Sequence, residues 1–192
     1  QIQGMQFKAA ADANGGPATF SYTVKDDGTT NGANDFKTLT QSLTITVTEV
    51  NDAPTRTGGS VANLTIAEDT GLTSLGLGSV AYSAGPANES GQNLTYTVTA
   101  VPAASLGTVY LADGTTAVTA NTAYTLADIQ GMQFKAAADA NGGPATFSYT
   151  VKDDGTTNGA NDFKTLTQSL TITVTEVNDA PTRTGGSVAN LT

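Results

Sequence analysis

The chain contains an exact internal repeat, and this feature limits its fold more than any other. Residues 2–65 are identical to residues 129–192, so the same 64 residues recur after 127 positions. The heptad EVNDAPT therefore occurs twice, at residues 49–55 and 176–182. Exact repetition at a fixed spacing is typical of tandem arrays of small structural units. A unit of 127 residues is large enough for one domain with its own core.

The joints between repeats are predicted at Pro54 and Pro181, each of which follows a strand-like run that ends in Asn-Asp-Ala. Proline cannot continue a ladder and holds the preceding residue in an extended form. We expect one complete repeat at residues 51–177. Residues 1–50 are then the C-terminal part of a preceding repeat, without the strands needed to close a domain. Residues 178–192 are expected to be the first strand of the next repeat.

The charge balance excludes several kinds of partner. The chain has 17 acidic and 8 basic residues and a net charge of −9, which argues against binding to nucleic acid or anionic lipid. No apolar run approaches the roughly 20 residues of a membrane helix. Cysteine and histidine are absent, so disulfides and common nucleophile–base pairs are not available. We therefore expect neither an enzyme nor a small-molecule substrate.

Short runs of alternating apolar and polar residues indicate β-strands throughout. Leu170, Ile172 and Val174 alternate with threonines, and residues 94–98 and 147–151 follow the same rule. Further strands are predicted at residues 64–66, 107–111, 123–126 and 132–136, with a short helical turn near residues 125–129. Seven to nine such strands predict an all-β fold, an immunoglobulin-like or cadherin-like Greek-key β-sandwich.

Three apolar strand faces lead directly into a carboxylate. Side chains alternate faces with period two, and the next position on the core face is Glu68, Asp153 or Glu176. A buried carboxylate without a partner is costly. Each of these residues is therefore expected at an end of the domain, in water or facing a cation.

An immunoglobulin-like strand order sorts the oxygen-bearing side chains into two groups. The first strand should run parallel to the last, which brings Glu68 close to Glu176. The joint before the complete repeat is predicted to gather Glu49, Asn51, Asp52, Asn88, Glu89, Asp153 and Asp154. The joint after it is predicted to gather Glu68, Asp139, Asn141, Glu176, Asn178 and Asp179.

These groups offer only oxygen ligands, which suit a hard cation such as Ca²⁺ and argue against zinc. Clustered carboxylates would repel one another without a cation, and this explains why the acidic turn recurs. The alternative is that Asp-Asp-Gly and Asn-Asp are ordinary turn formers whose side chains bond their own backbone. Similarly, residues 153–163 could fold round an ion with Asp154, Asn158 and Asp162, or could form a plain hairpin.

Several longer segments resemble a known family. They read VTEVNDAPT, AEDTGL, GPANESGQNLTYTVTAVPAASLGTVYLADGTT, QGMQFKAAADANGGPATFSYTVKDDGTTNGANDF and LTITVTEV. They are similar to the cadherin-like tandem repeats of giant bacterial surface proteins, in particular the extender region of RTX adhesins, and the resemblance covers the whole chain.

This resemblance implies secretion to the bacterial cell surface and calcium at the joints. It matches Glu68 with the acidic residue of the first cadherin strand, Asn51–Asp52 and Asn178–Asp179 with the linker acids, and Asp153 or Asp154 with the aspartate of a late loop. Asn88–Glu89 departs from the Asp-x-Asp of cadherins, which changes the ligand count there.

An enzyme that uses a pair of carboxylates stays open as an alternative, but the candidate carboxylates are expected at the domain ends among the metal ligands. Two other functions are therefore compared. The first is a calcium-stiffened spacer whose partners are neighbouring repeats of the same chain and which projects a ligand-binding tip from the cell. The identity between the two copies favours the spacer, because the length of a spacer depends on the number of its repeats and not on differences between them. The second is an adhesive module that itself binds a sugar, ice or a protein. Such a module would need exposed aromatic residues on a concave patch, and the chain has no tryptophan.

Overall fold

A computed structural model describes residues 2–186 and shows an all-β protein. The described residues contain sixteen strands, one short α-helix, α1 (Leu126–Gly131), and one 3-10 turn (Ala87–Glu89). The strands are β1 (Gly15–Lys25), β2 (Thr29–Thr30), β3 (Ala33–Asn34), β4 (Thr38–Val47), β5 (Thr55–Gly58), β6 (Leu64–Ala67), β7 (Thr73–Ser74), β8 (Ala81–Ser83), β9 (Thr95–Ala100), β10 (Gly107–Tyr110), β11 (Thr122–Tyr124), β12 (Gln133–Ala136), β13 (Gly142–Lys152), β14 (Thr156–Thr157), β15 (Ala160–Asn161) and β16 (Thr165–Thr175).

The chain divides into two compact units that interleave along the sequence. Unit 1 comprises Gln1–Thr55, Ser83–Leu94 and Lys152–Thr165, and unit 2 comprises Arg56–Tyr82, Thr95–Val151 and Leu166–Thr192. The predicted repeat boundaries at residues 51 and 177 follow the sequence period and stay predictions. Residues 178–186 contain no strand, and residues 187–192 of the predicted next strand lie outside the described residues.

Unit 2 contains the two larger sheets, with strand orders β11-β9-β13-β16-β6 and β10-β12-β7. Both sheets supply fully buried side chains, among them Phe134 on β12, Phe147 on β13 and Ile172 on β16. The alternation seen in the sequence places these residues on one face of each strand. The predicted core positions along residues 147–151 and 170–174 are confirmed.

Strand β6 pairs with β16 in parallel, with Leu64 opposite Ile172 and Ile66 opposite Val174. This is the pairing that the expected strand order requires between the first and last strands. The predicted helical turn is also confirmed, because α1 begins at a capping box in which Thr125 and Asp128 satisfy each other's backbone amides. Among residues 2–186, no helix has the length and apolar character needed to cross a membrane.

Unit 1 contains the antiparallel pair β1–β4, in which Phe20 lies opposite Leu43. It also contains two small hairpins, β2–β3 and β14–β15. Large apolar side chains of its first 50 residues are exposed, including Phe7, Leu39 and Leu43. Burial in this unit is concentrated instead at a few polar residues, which form the candidate site.

Candidate metal centre

Three polar side chains are almost completely buried in unit 1. Asn51 is 3%, Glu89 is 2% and Asp153 is 3% exposed. They come from the predicted linker, from the 3-10 turn and from the residue that follows β13. All three belong to the group predicted for the joint before the complete repeat, and the structure brings them into one network, called here the buried cluster.

The carboxylate of Asp153 is held by one of its two oxygens. Its Oδ1 accepts hydrogen bonds from the backbone amides of Lys164 (2.9 Å) and Gly155 (3.2 Å) and from Nδ2 of Asn51 (3.1 Å). Its Oδ2 is buried and has no hydrogen-bond partner among the described residues. One oxygen therefore fixes the orientation of the carboxylate, and the other is a buried acceptor that nothing in residues 2–186 uses.

Glu89 repeats this arrangement. Its Oε1 accepts a hydrogen bond from the backbone amide of Asp52 at 2.8 Å, whereas Oε2 is buried without a partner in the part of the chain that is described. Burial raises the pKa of the Glu89 carboxyl, and the negative charges of Asp52, Asp153 and Glu49 raise it further, against the lowering effect of the Asp52 amide. The environment of Glu89 therefore makes its charged form less favourable than it is in water, and a nearby cation would offset this effect.

The amide of Asn51 connects the cluster. Nδ2 donates to Asp153 and to the backbone oxygen of Asp162 (2.9 Å), and Oδ1 accepts from Nε2 of Gln92 at 2.8 Å. Its own backbone amide donates to Oγ1 of Thr157 at 2.9 Å. The Oε1 of Gln92 is a third buried acceptor without a partner in residues 2–186.

Two glycines make room for these side chains. A Cβ added to Gly155 would collide with the side-chain amide of Asn51, and one added to Gly85 would collide with the Glu89 carboxylate. Both collisions involve buried polar groups that hydrogen bonds already hold. The glycines thus allow the backbone to approach the cluster closely.

Other predicted ligands of the same joint have different roles. Both oxygens of Asp154 accept hydrogen bonds from Asn93, through its backbone amide and its Nδ2, each at 2.8 Å. These bonds lower the pKa of the exposed Asp154 carboxyl. Of the two aspartates that the resemblance offered for the late loop, Asp153 is therefore the one with an unused buried oxygen.

The loop between β13 and β16 is a hairpin in which Asp162 is already partnered. Its Oδ2 accepts from Thr157 at 2.6 Å and its Oδ1 from Nζ of Lys164 at 2.7 Å. The backbone amide of Asn158 donates to the backbone oxygen of Glu49 at 3.2 Å. These contacts agree with the hairpin alternative for residues 153–163.

A cavity of about 340 Å³ lies in unit 1 beside this network. Its lining includes Asp52 and Asn88, both predicted for this joint, together with Asp12 and Asn14. Asp12 and Asn14 are the first-copy equivalents of Asp139 and Asn141. The cavity is thus bordered by oxygen donors of two successive copies.

The group predicted for the joint after the repeat is mostly exposed. Glu68 alone is buried, at 4%, and its Oε1 accepts from the backbone amide of Val177 at 2.6 Å. Burial raises the pKa of the neighbouring Asp69, and so do the charges of Asp179, Glu68 and Asp139. The remaining members are exposed: Asp139, Asn141, Glu176, Asn178 and Asp179.

No three Asp, Glu, His or Cys side chains within residues 2–186 are arranged as a ready metal site. A cation at the buried cluster would therefore take carboxylate oxygens from Glu89 and Asp153 and complete its shell with amide, backbone or water oxygens. Calcium accepts such mixed oxygen shells, and its affinity falls as the number of charged ligands falls. The donor set of the cluster consists of oxygen atoms, which is the ligand chemistry that calcium prefers.

Sequence reasoning missed several members of the site. Gln92 belongs to the buried cluster and Asn93 holds Asp154, although neither carries a charge that would have marked it. Asp12 and Asn14 were detectable, because the repeat makes them equivalent to two predicted ligands. Asp69 adjoins the predicted Glu68, and its own position is off the core face of the strand, so the parity argument gives no signal for it.

Comparison with known proteins found no family model, no curated protein and no solved structure that matches the chain. The resemblance to adhesin repeats therefore rests on the quoted motifs.

Proposed function

We propose that this protein is a calcium-binding spacer repeat, with an immunoglobulin-like Greek-key fold, from the extender region of a bacterial surface adhesin. The observation that carries the proposal is the pair of buried carboxylate oxygens of Glu89 and Asp153, beside the Asn51–Asp52 linker, that have no hydrogen-bond partner among residues 2–186. Extracellular location at the bacterial surface follows from the motif resemblance and belongs to the same proposal.

Electrostatics gives the reason for a cation. Two nearly buried carboxylates that each leave one oxygen unpaired are costly without a compensating charge. Asp52 and Glu49 add negative charge to the same region. A calcium ion would neutralise these groups, and Asn51, Glu89 and Asp153 would be its principal ligands.

The position of the cluster suggests its mechanical role. Asn51 and Asp52 lie in the predicted linker, whereas Glu89 and Asp153 belong to loops of the complete repeat. An ion held by both would tie the linker to the repeat, so that bending would have to break coordination bonds. The exact identity of the two copies suits a spacer, which acts through the number of its repeats.

Thermal unfolding of the full chain in calcium and in EDTA tests the binding step. A ligand that binds only the folded state stabilises it by RT ln(1 + [L]/Kd), about 2.7 kcal/mol at a hundredfold excess over Kd. Extracellular calcium sites have Kd values on the order of 10⁻⁴–10⁻³ M. We expect a clear rise in Tm in tens of millimolar calcium, little in micromolar calcium and none with magnesium at equal ionic strength. An unchanged Tm at all calcium concentrations would remove calcium from the proposal.

Small-angle scattering of a two-repeat protein tests the mechanical step separately. Calcium should lengthen and narrow the distance distribution relative to EDTA. The double substitution Asn51→Ala and Asp52→Ala should make the calcium-treated protein resemble the EDTA-treated one. Superimposable curves for the unmutated protein, despite a calcium-dependent Tm, would mean that calcium stabilises the repeat without stiffening the array.

A further inference from the structure

The hairpin β1–β4 of unit 1 carries an uncovered apolar surface, called here the open face. Met5, Phe7, Phe20, Leu43 and Ile45 line a hollow of about 260 Å³ on it, together with Gln6. Met5 is 60%, Phe7 is 61% and Leu43 is 51% exposed. Exposed apolar side chains that adjoin one another in this way are typical of an interaction site.

In the second copy of the same sequence the equivalent face is buried. Its equivalent residues, Met132, Phe134, Phe147, Leu170 and Ile172, are at most 1% exposed. Their strands are neighbours of β6, β7, β9 and β10, which all come from residues 64–110. The strands that pair with those of the second copy and have no counterpart beside β1 and β4 among the described residues therefore come from one stretch of sequence, residues 64–110, which precedes the second copy.

The strand edges lead to the same conclusion. Strand β13 has β9 on one side and β16 on the other, and β16 continues to β6. Their first-copy equivalents β1 and β4 pair only with each other within the described residues. Each therefore presents an edge of backbone donors and acceptors, and such edges accept an added strand.

We propose that the open face is an acceptor for a second copy of the sequence of residues 51–127, which adds strands to both edges of the β1–β4 hairpin and covers Phe7, Phe20 and Leu43. The register follows from the second copy. The Leu64 equivalent of the added segment pairs in parallel opposite Ile45, as Leu64 pairs opposite Ile172. The β9 equivalent adds to the outer edge of β1.

Specificity comes from the combination of register and side-chain fit. An apolar surface alone would attract many segments. The added segment must place one strand in parallel beside β4 and another beside β1. Residues 64–100 provide the spacing between β6 and β9 that this requires. The surface is thus self-recognising, and the inference holds whether or not the protein binds calcium.

The test mixes the full chain with a separately produced, ¹⁵N-labelled polypeptide of residues 51–127. We expect a 1:1 complex in sedimentation experiments and dispersed amide signals from the labelled segment, because it acquires β-structure on binding. Absence of a complex at tens of micromolar overturns the proposal. A complex without signal dispersion also overturns it, because it indicates non-specific adhesion.

Two substitutions in adjacent residues of β4 locate the binding site. Leu43→Asp places a charge on the open face and should weaken binding about tenfold or more, since burying an unpaired charge is costly. Ser42→Asp lies on the opposite face of the same strand, where its equivalent Ser169 is exposed, and should leave binding unchanged. Both residues are exposed in the full chain, so neither change threatens its folding.

Two outcomes of the experiments with Leu43→Asp would overturn the proposal. Equal binding of the unmutated and Leu43→Asp chains would mean that the segment exchanges into residues 128–177 instead. The full chain could also dimerise in a way that Leu43→Asp abolishes and that the added segment does not inhibit. This result would mean that open faces pair with each other.

Discussion

The segment GGPATFSYTVK forms a strand twice in this molecule, as β1 (Gly15–Lys25) and as β13 (Gly142–Lys152), and only the second copy is buried. Val24 is 50% exposed, whereas its equivalent Val151 is completely buried. Both strands pair with an identical partner sequence, in β4 and in β16. The comparison shows that these eleven residues form the strand with either set of neighbours, whereas the burial of their side chains depends on the neighbours.

The local chemistry of the two hairpins is the same. Oδ1 of Asp26 accepts from the backbone amides of Lys37 (2.8 Å) and Gly28 (3.1 Å). Asp153 accepts from the equivalent amides of Lys164 (2.9 Å) and Gly155 (3.2 Å). The turn therefore forms from nearby residues, whether or not the strand faces are covered.

The segments that precede the two hairpins have identical sequences but differ in structure. Residues 133–136 form β12 between β10 and β7, whereas the identical residues 6–9 form no strand. A strand needs partners for its backbone groups, and these partners come from residues 73–110. The buried cluster follows the same rule, because Asp153 meets Asn51 whereas Asp26 has only its own hairpin.

The largest expected difference between the copies concerns one phenylalanine. Phe134→Ala should lower the free energy of unfolding by about 3–5 kcal/mol, because it empties a site in the core. Phe7→Ala changes the same residue in the same local sequence and should stay within about 0.5 kcal/mol. Urea unfolding monitored by tyrosine fluorescence measures both. Equal losses would mean that the first copy is packed in solution.

The calcium response should distinguish Asp153 from Asp26. Asp153→Asn keeps an acceptor for the Lys164 amide and removes the charge, so it should abolish most of the stabilisation by calcium, about 2.7 kcal/mol at a hundredfold excess over Kd. Asp26→Asn should leave the calcium response intact. Calorimetric titration and melting in calcium check both variants, and a loss in both would place the ion in the hairpin turn itself.

Removing the charge of Glu89 should raise the stability of the protein without calcium and weaken its stabilisation by calcium. Glu89→Gln keeps the acceptor for the Asp52 amide and removes a buried charge. In EDTA at neutral pH it should stabilise the protein by about 1 kcal/mol, the scale of one unsatisfied buried acceptor, and in calcium it should weaken the response. Asp154→Asn is the control for the calcium response, which should stay intact although the substitution removes one of the two acceptors for Asn93. Destabilisation by Glu89→Gln in EDTA would contradict the argument.

The smallest expected difference concerns the ion pairs Lys37–Asp35 and Lys164–Asp162, both at 2.7 Å. Hydrogen bonds from the lysine and from a threonine lower the pKa of Asp35 and of Asp162 below the ordinary 3.8. A lowered pKa contributes stability that is present above pH 3.8 and is lost as the pH falls through the folded-state value. NMR titration should show both carboxyls titrating below 3.8 by similar amounts. A low value in one copy alone would show that burial controls this pair.

Sequence reasoning reached the strands and half of the site. Alternation placed Phe147, Tyr149 and Ile172 in the core, and parity placed Glu68 and Asp153 where the strands end. It did not separate Asp153 from Asp154, since both follow the strand and only their partners differ. It also missed Gln92, because a neutral amide in a loop carries no periodic signal.

The sequence by itself determined the repeat, the two faces of each strand and the turn that holds Asp26 or Asp153. These depend on residues within about a dozen positions of one another. Only the tertiary structure decided which copy buries its apolar face and which carboxylate oxygens are left without a partner. Both depend on strands and loops 40 to 110 positions away. The physical reason is that alternation creates an apolar face, whereas burial requires a second surface to cover it.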